Sequence, residues 1–217
     1  MSLVELIAQA DERGLAVSGL ACLDRCLPLL SGDDELLRPL WAGLADGEDA
    51  DAWGERLEQI RSKLGDGGLE EPGGDRAIGI AAGDNAAVGG PAVGDEAVLL
   101  ARRMLAVAPP VLSVAEVRVW ADVCSVALLR IHRLLGGAAP GEADAALAEA
   151  ALADARREGR TEGMPPLVAA ELRRQVVVLE LLAEHGAGGL RRALEVSTEG
   201  RRVLRAVVSR RARGKRG

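Results

Sequence analysis

Two thiols one helical turn apart, Cys22 and Cys26, are the first residues along the chain whose types and spacing could do chemistry. At i and i+4 they share a helix face and could supply half of a metal site. The other half is missing. Cys124, His132 and His185 stand alone in sequence, and no second Cys or His pair accompanies them. The expectation is therefore three buried cysteines acting as small hydrophobes, with no metal and no cofactor. A reactive thiol needs a positive surrounding, and Arg25, although adjacent to Cys26, projects elsewhere on the helix.

The only histidines offer little more. His132 sits between Arg130 and Arg133, an unfavourable place for a base that must stay neutral. His185 precedes Gly186 at an expected helix end, where a histidine commonly meets the last carbonyls. Neither has a Ser or Cys partner at a recognisable spacing, so no catalytic residues are assigned. Asp33-Asp34-Glu35 could suggest a magnesium site, but its place before Leu36-Leu37 predicts a helix N-terminus, whose dipole favours carboxylates. The glycines of residues 65–94 contain no phosphate-binding signature between a strand and a helix.

The strongest departure from a generic chain is at its C-terminus. Residues 201–217 hold Arg201, Arg202, Arg205, Arg210, Arg211, Arg213, Lys215 and Arg216 and no acidic residue, which gives the segment a charge of +8. The whole chain carries −6, so the preceding 200 residues carry −14. These eight cations are the candidate surface for a polyanion or an acidic partner. Val203, Leu204, Val207 and Val208 form an apolar stripe beside them. The segment is thus predicted as an amphipathic basic helix that docks on an acidic surface (residues 1–64 or a partner), in a groove or on an anionic membrane surface, ending in a loose run from Arg211. Residues 1–64 hold 13 acidic and 6 basic side chains.

The elements that would position these residues read as helices. A capping box of Ser2 and Glu5 opens a helix expected to run to Gly14, and a second is expected from about Ser18 to Leu30. Asp33 or Asp34 is expected to cap a third, closed by Gly47, and a fourth carries Trp53, Leu57 and Ile60. In residues 65–94 ten of thirty positions are glycine, which predicts a flexible linker. Helices resume at Asp95. Ser113 and Glu116 open the most apolar one, an alanine-rich helix follows over 142–158, and Pro165-Pro166 opens another to about Glu184. A last helical stretch from Leu190 to about Ala212 is interrupted near Gly200, or divides there into two.

The resulting fold class is all-α. A small N-terminal helical unit (1–64) is joined by the Gly-rich linker (65–94) to a larger C-terminal helical bundle (95–199), with a basic arm at 200–217. With no Phe, no Tyr and three Trp, the core must be aliphatic, and base-stacking platforms for single-stranded nucleic acid have almost no residues to use. No secretory leader and no run of about eighteen uncharged apolar residues is visible, and the few unframed cysteines fit a reducing compartment, so the expected location is cytoplasmic. The expected function is a non-enzymatic helical interaction or regulatory protein, working through a protein partner or self-association. The alternative is a nucleic-acid-binding regulator that uses the basic arm. An enzyme would need buried polar residues to converge in a cavity, with Arg118, Asp122, His132 and Arg174 as the candidates on the two most apolar helices.

Overall fold

The computed structural model describes residues 1–47, 50–66, 93–137 and 142–214. Among them are the helices α1 (Leu3–Gln9), α2 (Glu12–Arg25), α3 (Arg38–Asp46), α4 (Ala50–Asp66), α5 (Val93–Ala106), α6 (Val114–Leu135), α7 (Glu142–Glu158), α8 (Pro166–His185) and α9 (Leu190–Gly214). Short 3-10 turns at Leu27–Leu29 and Gly186–Gly189 link α2 to the approach of α3 and α8 to α9. No strand occurs among the described residues, and the protein is an all-α helical bundle.

Several helix ends follow from local chemistry. The Ser2–Glu5 capping box forms, with Ser2 N donating to Glu5 Oε2 at 2.8 Å. Ser113 caps α6 by accepting from Glu116 N, and Gly47 closes α3 at φ 69°. Other boundaries move. The first break comes at Ala10 rather than after Gly14, because Asp11 accepts from Gly14 N at 2.7 Å and starts α2 there. Ser18 is consequently buried inside a helix instead of opening one. Neither Asp33 nor Asp34 caps α3: Asp33 Oδ1 takes Glu35 N at 2.8 Å in a turn, and α3 starts later, with Pro39 in its first turn. α9 runs through Gly200 without interruption.

α2 occupies the centre. It packs on α6, α8 and α9, while α5 covers the other flank of α6. One continuous apolar cluster takes in Leu15, Leu20 and Leu23 from α2, Trp53 and Leu57 from α4, Met104 from α5, Trp120 and Leu128 from α6, and Leu172 and Leu204 from α8 and α9. The helices on the two sides of the Gly-rich stretch therefore share a core. Most of the stretch itself, 67–92, lies outside the described residues, and α4 and α5 reach into its ends.

Close approach at the centre is made by glycine. A Cβ on Gly19 would lie 2.6 Å from the Trp120 ring, and one on Gly200 would overlap the Arg25 side chain. Trp120 is fully packed, donates Nε1–H to Met104 O at 3.0 Å, and meets Trp53 edge-on with ring centroids 6.0 Å apart. Gly19→Ala would gain about 1 kcal/mol of helix propensity, yet must displace the ring of a buried indole. The expected net effect is a destabilisation of about 1–3 kcal/mol by overpacking. Urea unfolding should show it as a lower midpoint with an unchanged slope.

A buried polar network as the candidate functional site

The central helices bring a set of ionisable side chains together inside the bundle. α2 ends on Arg25, whose side chain is 1% exposed, and α8 presents Glu171 opposite it at 0%. Arg25 donates to Glu171 Oε1 from Nε at 3.1 Å and from Nη2 at 2.7 Å. Its remaining edges face Ser197 Oγ on α9 and Cys22 Sγ on its own helix, each at 3.4 Å. Gly200 leaves the space that the guanidinium stem fills.

The network continues outward. Gln175, one turn after Glu171 on α8, donates Nε2–H to Glu171 Oε1 at 3.0 Å and accepts from Ser125 Oγ of α6 at 2.6 Å. Arg156 of α7 donates Nε–H to that hydroxyl at 3.1 Å and ends on Asp122, which reaches the surface. One chain of hydrogen bonds thus ties α2, α9, α8, α6 and α7. His132 is fully buried beside it, with Nε2 3.4 Å from Glu171 Oε2, and neither ring nitrogen makes a hydrogen bond. Arg174 Nη1 lies 4.0 Å from the same oxygen.

Burial by itself would raise the Glu171 carboxyl. Arg25 opposite and His132 beside it outweigh that effect and bring it to about 2, so it is ionised. Burial also pushes the Cys22 thiol up to about 12 and the Cys26 and Cys124 thiols well above their usual range. All three are protonated, poor nucleophiles. Among the described residues no group of three His, Cys, Asp or Glu side chains is placed to hold a metal ion.

A second cluster anchors the C-terminal helix. Arg201, expected on the arm's charged face, is 7% exposed and lies 3.2 Å from Asp24 of α2, while its Nη1 also donates to Asp34 O at 3.0 Å. Arg205 grips the Asp34 carboxylate, with Nη1 to Oδ2 at 3.2 Å. Arg211 donates to Leu134 O and Leu135 O at 3.0 and 2.7 Å, stitching α9 to the negative end of the α6 dipole. Far from being the start of a loose end, Arg211 is a docking point. Arg202, Arg210 and Arg213 are exposed, and Lys215 and Arg216 lie outside the described residues. Asp24 Oδ2 has no hydrogen-bond partner. Burial outweighs the attraction of Arg201 and Arg25 and pushes this carboxyl up to about 6.

Of the four candidate pocket residues, His132 and Arg174 border the network. Asp122 forms its exposed end, and Arg118 faces solvent. None of the described cavities is lined by Arg25, His132 or Glu171. His185 accepts from Arg192 at 3.1 Å near the surface, and Arg191 meets Glu195 at 3.4 Å. Sequence reasoning missed Arg25, Glu171, Gln175, Ser125 and Ser197. One signal was present: Glu171 and Gln175 fall at i and i+4 on the same side of α8 as Leu172 and Leu179. No protein-family model, curated protein or solved structure matches the chain.

Glu171→Leu should cost about 3–5 kcal/mol by leaving Arg25 buried without its counter-charge. The double change Glu171→Leu with Arg25→Met should cost clearly less than the sum of the single ones. Chemical denaturation of the four proteins closes the cycle. The pH dependence has two opposite signs. Glu171 is lowered on folding, so its contribution is present above roughly pH 4.5 and is lost as pH falls toward 2. Asp24 is raised, so its contribution is present below roughly pH 4 and is lost as pH rises through about 6. The stability difference between the wild type and Asp24→Asn should therefore fall between about pH 4 and 6, and differential denaturation across that window reads it.

Proposed function

We propose that this chain is a non-enzymatic helical interaction or regulatory protein that works through protein contacts in the cytoplasm. The observation that carries this reading is the placement of exposed aliphatic surface. Of nine large hydrophobic side chains exposed among the described residues, five (Leu99, Val107, Val111, Val114 and Val119) lie on α5, α6 and the turn between them. A groove of about 670 Å³ lies at the same corner, lined by Arg61, Arg103, Val107, Pro110, Val119 and Trp120 among others. Concentration of exposed apolar side chains in one region is the usual mark of a surface that another molecule covers. Several of the buried polar groups, by contrast, are occupied with one another: Arg25 with Glu171, Gln175 with Ser125, Arg156 with Asp122. No helix among the described residues is long and apolar enough to cross a membrane.

A nucleic-acid-binding regulator is the second reading. It is favoured by Arg202, Arg210 and Arg213, which remain on exposed positions of α9 after Arg201, Arg205 and Arg211 are occupied. Deleting residues 200–217 is no test, because Arg201 and Leu204 are core residues. Changing Arg202, Arg210 and Arg213 to Glu leaves the docked face intact. Unaltered nucleic-acid binding by that variant at low salt would remove the arm from the reading, and loss of a steeply salt-dependent affinity would support it.

The interaction reading requires the His132 cluster to stay closed. Diethylpyrocarbonate treatment of the native protein, read by peptide mass, should modify the surface His185 and spare His132. Equal modification of both would show a site open to small molecules and would sink the non-enzymatic reading.

A further inference from the structure

The outward face of α5 carries charges that the fold leaves unused. Asp95, Glu96, Leu99, Arg102 and Arg103 are all exposed, and they fall at helical spacing on one stripe. Leu99 is 56% exposed and stands at the middle of the helix, which runs from residue 93 to residue 106. Asp95 and Arg103 lie four residues to either side of it, and Glu96 and Arg102 three. None of the four charged side chains makes an ion pair or a side-chain hydrogen bond among the described residues. Nor can they pair along the helix. The residues three and four after Asp95 are Val98 and Leu99, and those after Glu96 are Leu99 and Leu100. The acids are six to eight residues from the bases, about two turns, beyond side-chain reach for an ordinary pair.

We propose that α5 is a self-recognition surface, on which a second copy of this chain docks with its own α5 antiparallel. A two-fold axis through Leu99 stacks the two leucines on each other. The same rotation sets Asp95 of each copy beside Arg103 of the other and Glu96 beside Arg102. Every charge on the stripe then meets its opposite, and an isologous interface requires that kind of self-complementarity. A parallel pairing would instead place acid against acid and base against base. The α5–α6 turn with Val107 and Val111 extends the exposed apolar surface beyond the C-terminal end of the same helix. This inference rests on the interaction reading above and narrows it to one partner.

Sedimentation equilibrium of the full chain over a wide concentration range tests it. The expected result is a monomer–dimer equilibrium that weakens as salt rises, since the pairs are exposed. An acid-faced variant (Arg102→Glu with Arg103→Glu) and a base-faced variant (Asp95→Arg with Glu96→Arg) should each dimerise at least about tenfold more weakly, because every cross-pair becomes like-charged. An equimolar mixture of the two should recover dimers, which also shows that both variants are folded. If either variant does not fold, the wild type's salt response and the single change Leu99→Asp decide. A wild-type dimer that tightens with salt, or that Leu99→Asp leaves unchanged, overturns the proposal. So do variants that both dimerise like the wild type, and a mixture that stays monomeric. A wild type that stays monomeric at every concentration also overturns it, but leaves the interaction reading standing with a foreign partner. Modification of His132 in the native protein would instead overturn that reading.

Discussion

A guanidinium enclosed by protein sets the terms for the rest of this bundle. Arg25 lies at the end of the central helix with essentially no solvent contact. Its charge and its N–H groups must therefore be met by protein atoms, since an uncompensated buried cation costs several kcal/mol. Each requirement draws in another helix. Glu171 supplies the countercharge from α8, Ser197 an acceptor from α9, and Gly200 the space for the stem. Glu171 in turn engages Gln175, which takes up Ser125, which takes up Arg156. The relative positions of α2, α6, α7, α8 and α9 are thereby specified by directional contacts, where an all-aliphatic core would tolerate sliding. Buried ion pairs of this kind confer little net stability, and removing one partner of such a pair is costly.

The same logic explains why the basic C-terminal helix is not free. Half of the described cations from Arg201 onward are spent on the fold. Arg201 and Arg205 hold Asp24 and Asp34, and Arg211 holds the carbonyl end of α6. The acidity of the N-terminal half and the basicity of the last helix are thus partly two sides of one intramolecular contact. The cations left over face solvent on the opposite side of α9. The charge available to an outside partner is smaller than the net +8 of the segment implies.

With the charges of the interior and of the docked face of α9 engaged, surface α5 stands out. Its face pairs an exposed leucine with four charges that find no partner among the described residues, arranged so that acid and base exchange places under a two-fold rotation. Elsewhere on the surface most ion pairs are local. Arg38–Glu35, Arg202–Glu199 and Arg191–Glu195 are one turn apart on their own segments, and such pairs contribute little.

The sequence by itself determined the helical class and many of the ends. Leu and Val at helical spacing, Ser2–Glu5, Ser113–Glu116, Pro165-Pro166 and Gly47 act within a few residues of themselves, so their consequences are local and legible. Where two local signals competed, the reading slipped by a turn: Asp11 won over Gly14, and Gly200 was read as a break although it was a clearance. What only the tertiary structure decided was which charges are inside. Arg25 and Glu171 are 146 residues apart, and Arg201 and Asp24 are 177 apart. No spacing rule links partners at that distance, because the pairing is made by helices that meet only once the aliphatic faces have closed. A charged residue on an apolar stripe tells that something must compensate it. Only the packed bundle says what does.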